Sequence, residues 1–393
     1  MTRIEDSLRE LLAARAESTP PVGDPAGAAI RRGRAIQRRR SVGSALAVAM
    51  ALVLTVGGIS SIGGWWRPGH GTPSGTLIDF GPAQTTAATV PTAGPAGDTG
   101  IGLDVRVGDR LWTTDGRQLL LTGVGEVTRI IRVPDGWVYA GASGVRFLRT
   151  DGTSVALSGE DDRWVLSPGG DRIAFVIEQV LYVARLRPSG LAVLASVEVP
   201  PATAPIALLG DRVVIQVEGR GFDTLDPARA YQPAWNDEVT AVFGVRGDSL
   251  AALVRDAGGQ APCLAELRST GAGLEVIRTG GCGLDLRLDG ADGRLAPGGG
   301  WLAEPTATQV ALVDWDRAVA NPTGTGAEQL LSCPIRASVT PTWADDQTVL
   351  SADAHGVVRC RTDGSQQAVA LPEGVGAGWQ FVPRVATAPT RTG

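Results

Sequence analysis

The 393-residue chain is predicted to be mainly β, with one membrane-spanning helix ahead of a large sheet domain. Two observations carry this. From about residue 101, short Val/Leu/Ile/Trp runs of four to eight residues alternate with Gly, Asp and Pro turns, without a long helical period. Residues 41–64 carry no charge and would span about 36 Å as a helix, enough to cross a bilayer.

Residues 1–40 are expected to be a cytoplasmic stub. Thr2 and Glu5 have capping-box spacing, and Ile4, Leu8, Leu11 and Leu12 mark one apolar face of a short amphipathic helix. Four turns are marginal alone in water, so those four residues are candidates for docking a cytoplasmic partner. Pro20, Pro21 and Pro25 end the helix. Six arginines follow, with Arg38, Arg39 and Arg40 directly against the apolar run, whereas Arg67 alone lies close to its other end. The positive-inside rule therefore predicts an N-in, C-out single pass in the cell membrane, contacting lipid through residues 41–64. Trp65 and Trp66 would then sit at the outer headgroup level beside the lipid. Residues 65–100, rich in Pro, Gly, Thr and Ala, read as a linker; residues 101–385 are the sheet domain and 386–393 a disordered tail.

Composition narrows the function classes. The chain has no lysine, so all 36 basic residues are arginine and lysine-based Schiff-base chemistry is excluded. Abundant Ala, Gly and Val are what a GC-rich bacterial genome encodes. Residues 1–40 hold nine Arg and five acids, a net charge of +4; the remainder holds 27 Arg and 36 acids, a net charge of −9. An acidic outer domain argues against nucleic acid as a partner. The two histidines, His70 and His355, fall in the linker and in a turn, so no catalytic residue is assigned. Glu160, Asp161 and Asp162, and Asp285, Asp289 and Asp292, lack the full acid loop that calcium requires and read as solvated turns. No metal or cofactor site is predicted.

Cys263, Cys282, Cys333 and Cys360 all lie in the outer part, an even number that reads as disulfides in an oxidising compartment. Three pairings are open. The turn at residues 269–273 favours Cys263 with Cys282, which leaves Cys333 with Cys360.

Two sequence elements recur. Thr114-Asp115-Gly116, Thr150-Asp151-Gly152 and Thr362-Asp363-Gly364 each separate two extended runs, a hairpin signal. A second element reads Trp164-Val165-Leu166-Ser167-Pro168-Gly169-Gly170-Asp171-Arg172-Ile173-Ala174-Phe175, with relatives at residues 296–303 and 343–351. This pattern resembles the Ser-Pro-Asp-Gly-x-x-Leu-Ala-Phe signature of TolB-like and WD-type β-propeller blades, although Gly169 stands where the consensus has Asp. The resemblance implies a β-propeller. Strands following such turns fall near Trp137, Ile173, Val213, Leu250, Trp301, Thr348 and Trp379, which suggests seven blades, with six as the alternative. Leu111 to Gly116 looks like the second half of a blade and Trp379 to Val382 like a first half, so the two chain ends are expected to share one blade. The eight tryptophans beyond Trp66 are expected to pack between blades.

The order of parts is similar to that of actinobacterial membrane proteins associated with extracytoplasmic-function sigma factors, although residues 1–40 hold no His or Cys. That likeness implies a binding, scaffold or sensing module of the cell envelope, with a protein or envelope ligand on the propeller and a sigma factor as a possible cytoplasmic partner. A membrane-tethered hydrolase acting on envelope polysaccharide or peptide is the alternative.

Overall fold

A computed structural model describes residues 86–87, 100–158, 163–256, 261–284, 286, 294–306, 309–322, 330–334, 340–352, 356–371, 375 and 378–385. The chain divides into two units, Met1–Thr72 and Pro73–Gly393, and every described residue belongs to the second. The expected amphipathic helix, the span at residues 41–64, Trp65 and Trp66 therefore lie outside the described residues. Among those described, no helix is long and apolar enough to cross a membrane.

Seven antiparallel sheets follow one another along the chain. Blade 2 comprises Val127–Val133, Gly136–Gly141, Gly144–Arg149 and Thr153–Ser158. Blade 3 comprises Trp164–Leu166, Arg172–Ile177, Val180–Arg187 and Gly190–Glu198. Blade 4 has Ala204–Leu209, Arg212–Val217 and Gly221–Leu225, and blade 5 has Val239–Arg246, Ser249–Arg255, Pro262–Thr270 and Gly273–Gly280. Blade 6 is Arg294–Leu295, Trp301–Pro305, Gln309–Asp314 and Leu330–Pro334; blade 7 is Thr342–Asp345, Thr348–Ala352, Val357–Arg361 and Gln366–Val369.

Blade 1 closes the ring. Val105–Val107, Arg110–Trp112 and Gln118–Leu120 come from the start of the domain, and Trp379–Phe381 from its end adds the first strand. The join pairs Val105 with Phe381, Arg106 with Gln380 and Val107 with Trp379. The shared blade expected from the two half-blade sequences is thus present, and the chain is a seven-bladed β-propeller. The first strands of blades 3 to 6 each touch the first strand of the next blade, as they do around a common axis. Joining both ends in one sheet ties the ring without leaving blade 1 as an open half.

The core explains why these strands read as continuous apolar runs. Seven hydrophobic clusters occur, each between two neighbouring blades. On the second strand of blade 2, Trp137 and Tyr139 face blade 1 while Val138 and Ala140 face blade 3. The strand's two-residue period therefore feeds two interfaces, and a blade buried on both faces needs apolar residues at every position. All eight tryptophans beyond Trp66 contribute to these clusters, as expected; Trp112, Trp137, Trp164, Trp315, Trp343 and Trp379 are buried.

The sequence anchors map onto one position in the blade. Trp137, Ile173, Val213, Leu250, Trp301 and Thr348 all lie on second strands, whereas Trp379 lies on the first strand of blade 1. The Ser167 turn joins the first and second strands of blade 3: Ser167 Oγ donates to Asp171 (2.8 Å) and accepts from the Arg172 amide (3.0 Å). The polar role in this turn thus passes to Asp171. All three Asp-Gly turns join third to fourth strands, in blades 1, 2 and 7. Gly116, Gly152 and Gly364 adopt φ of 80°, 86° and 86° there, a left-handed conformation that glycine takes without steric cost.

Three features depart from a plain four-stranded repeat. Blade 4 has three strands. Thr86–Ala87, within the expected linker, pairs antiparallel with Ser154 and Thr153 as a fifth strand on blade 2. The short helix Trp315–Ala320, capped by Asp314 accepting from the Arg317 amide, follows the third strand of blade 6 and inserts Trp315 between blades 5 and 6.

Candidate functional site

The site follows from the strand that blade 4 lacks. After Leu225 the sequence Asp226-Pro227 begins a turn, and Pro227 and Pro233 have no amide to give a ladder. Residues 226–238 instead fold back over the third strand. Asn236 and Phe222 exchange backbone hydrogen bonds of 2.8 and 3.0 Å, covering the edge at one point.

One carboxylate holds that fold-back. Asp223 is fully buried and accepts from the Thr224 amide, the Tyr231 hydroxyl and the Ala234 amide, each at 2.7 Å. Burial, and then the hydrogen bond to Asp223, push the Tyr231 phenol far above its ordinary value, so it remains a donor at any physiological pH. The Tyr231 ring meets Trp235 edge-on, and both pack on the cluster between blades 3 and 4.

The missing strand leaves a groove of about 300 Å³ between blades 3 and 4. Arg172 and Asp211 form a 2.9 Å ion pair at it, joining the two blades. Val183, Leu194 and Ala195 supply its blade 3 side, and Asp226, Pro227 and Ala228 the other. Leu194 is 46% exposed, one of two large apolar side chains so exposed among the described residues. A second concavity of about 270 Å³ lies on blade 7 beside Arg359, Arg361, Ser365, Gln366 and Gln367. Both are shallow and of mixed polarity; in the second, the Ser365 hydroxyl donates to Asp363 (2.6 Å) within the Asp-Gly turn. Concavities of this kind offer surface for contact with another molecule.

Two further sets of charged groups serve the fold. Arg246, Glu266, Arg278 and Asp316 form a linked set of ion pairs across blades 5 and 6, from 2.5 Å for Arg246–Asp316 to 4.0 Å for Arg278–Asp316. Asp104, fully buried, accepts from the Thr114 amide (2.7 Å), Trp137 Nε1 (2.8 Å) and Arg132 (3.3 Å). The Arg132 guanidinium also lies 4.1 Å from the Trp137 ring centroid. Arg132 in turn exchanges backbone bonds with Pro383 and Val385, so this set fastens blade 1 to blade 2 where the chain ends meet.

The four cysteines form two bonds, Cys263–Cys282 and Cys333–Cys360, the pairing favoured from the turn at residues 269–273. The first stays within blade 5; the second joins blade 6 to blade 7. Asp256 lies against Cys263 and Cys282, and with both sulfurs oxidised this trio does not present thiolate ligands.

Several predicted positions lie outside the described residues: Ile4, Leu8, Leu11, Leu12, Arg38, Arg39, Arg40, Trp65, Trp66, His70, both acidic clusters and His355. Apart from Arg172, which falls in the Ser167 element, neither the groove residues nor Asp104 and Asp223 figure among the residues singled out from the sequence. Asp226-Pro227 with Pro233 was the available sign that blade 4 would lose a strand. Asp104 carries no local signal, because all its side-chain donors come from other strands and turns.

No protein-family model matches the chain, and no curated protein sequence matches it. Similar solved structures include Citrobacter koseri AztD (12% identity, TM-score 0.46, covering 68% of this chain and 82% of that one). Saccharomyces cerevisiae Sqt1 matches at 13% identity and TM-score 0.44, covering 68% and 81% of the respective chains. BamB from Moraxella catarrhalis matches at 17% and 0.36, covering 62% and 76%. At these scores the likenesses decide neither fold nor function; the fold rests on the strand pairing described above.

Proposed function

We propose that this protein is a membrane-anchored, extracytoplasmic β-propeller that serves the bacterial cell envelope as a binding or scaffold module. The observation that carries the binding role is the surface of the ring. Two concavities on it, of about 300 and 270 Å³, are shallow, and Asp104 and Asp223, both fully buried, are committed to holding strands and turns in place. The groove beside Leu194 and the Arg172–Asp211 pair is the contact site for a protein partner. Two disulfides support an oxidising compartment for the propeller. The anchor rests on the uncharged residues 41–64 and on the arginines before them. The cytoplasmic stub then offers Ile4, Leu8, Leu11 and Leu12 to an inner partner such as a sigma factor.

Protease added to intact cells should degrade the chain beyond residue 66 and spare the stub; protection of the propeller would reverse the orientation. Crosslinking in the native host with the propeller as bait should capture an envelope protein. Replacing Leu194 with Asp should reduce that capture about tenfold, and undiminished capture would remove the groove from the reading. Substituting Leu8, Leu11 and Leu12 together should abolish capture by the stub while insertion stays intact.

A further inference from the structure

The outer edge of blade 3 differs from its neighbour. On blade 2 the outer strand is paired by Thr86–Ala87, whereas Gly190–Glu198, a nine-residue strand uncharged up to Val197, has no partner strand on its outer side among the described residues. A bulge at Leu194 interrupts this edge, because Val193 pairs with Ala184 and Ala195 with Val183. Residues 190–193 are therefore a regular stretch of four. On the face toward blade 2, Leu186 and Val193 are only partly buried at the rim of the cluster between the two blades. An unpaired apolar edge of this kind is a template for a short strand.

The chain itself supplies a fitting segment. Thr76-Leu77-Ile78-Asp79-Phe80, bounded by Gly75 and by Gly81-Pro82, has the composition of a short strand. Its reach is short. Thr86 pairs with Ser154, whose neighbour Val155 has its Cγ1 4.0 Å from where a Cβ on Gly190 would stand. Residues 81–85 can span at most about 18 Å, ample for that step.

We propose that the segment 76–80 adds a strand antiparallel to this edge, its residues 78–80 pairing with residues 191–193, with Phe80 opposite Leu191 and Ile78 opposite Val193. Ile78 and Phe80 then share the face of Leu191 and Val193 and complete the rim beside Leu186. Asp79 falls opposite Ala192, whose in-sheet partner is the exposed Arg185, so a small side chain separates opposite charges in one row. The linker is thereby strapped across the outer cleft of blades 2 and 3.

Amide hydrogen exchange on the full chain tests this. The double variant Ile78→Asp/Phe80→Asp should speed exchange in residues 190–193 at least tenfold, while Leu77→Asp, on the other face, should leave it unchanged. In a separate arm, Ile78→Cys/Val193→Cys should yield a linked peptide by mass spectrometry with the native bridges intact. Equal exchange in the wild type and the double variant would overturn the proposal. So would protection of residues 190–193 that rises with protein concentration, which would assign the edge to a second copy.

Discussion

Blade 1 and blade 4 are both incomplete as continuous pieces of chain, and each is held by one fully buried carboxylate. In blade 1, Asp104 binds a charged partner, Arg132, together with the Trp137 indole and the Thr114 amide. In blade 4, Asp223 binds only neutral donors: two amides and the Tyr231 hydroxyl. Asp104 fastens blade 1 to blade 2, whereas Asp223 fastens a loop to the strand it has just left. The charged partner thus stands at a junction between two blades, and the neutral donors within a local fold-back.

If that difference governs stability, Asp104→Ala should be the more damaging change. It strands the Arg132 guanidinium and the Trp137 indole in a buried interface, and should cost about 3–5 kcal/mol in denaturant unfolding. A loss no larger than that of Asp223→Ala would break the contrast.

The disulfides flanking the two regions offer a second comparison. Cys333–Cys360, next to the closing blade, spans 27 residues, and Cys263–Cys282, next to blade 4, spans 19. Replacing either pair with Ala should cost about 3–4 kcal/mol by loop entropy, the longer slightly more. A clear reversal of that order, read from thermal or denaturant midpoints, would show that local packing outweighs loop length.

Tyr231→Phe sharpens the blade 4 side. It removes one of three donors from a buried carboxylate and should cost about 1–3 kcal/mol, with the propeller still closed by near-ultraviolet circular dichroism. Loss of closure would mean that the fold-back loop carries more than its own blade.

The smallest effect belongs to the Asp-Gly turns. Hydrogen bonds from the Thr153 side chain and amide hold Asp151 below its ordinary value, and those from Ser365 do the same for Asp363. Because the folded value is depressed, the stabilisation is present above the ordinary carboxylate range, near pH 4, and is lost as pH falls through the folded value. Ser365→Ala should raise the Asp363 value toward normal in a carboxyl NMR titration. An unmoved titration would assign the shift to Arg361 instead.

Much of the ring was legible because its signals are local. Apolar runs broken by Asp-Gly and Ser-Pro-Gly turns, and half-blades at both ends, suffice to give seven blades and their closure. The three-stranded blade was harder, since a proline-bearing segment such as residues 226–238 reads equally as an ordinary connection. The strand Thr86–Ala87 was hidden in a linker composition, and its partners Ser154 and Thr153 lie more than 60 residues away. Asp104 was illegible for the same reason. Its role exists only after three separate stretches of backbone have converged.

The closing strand also imposes an order of events. Trp379–Phe381 is made hundreds of residues after its partner Val105–Val107. A nascent polypeptide must therefore keep the seam open until nearly all of it has emerged. Premature termination before residue 379 leaves a split washer, with Val105 and its neighbours facing whatever chaperone or protease attends the exit.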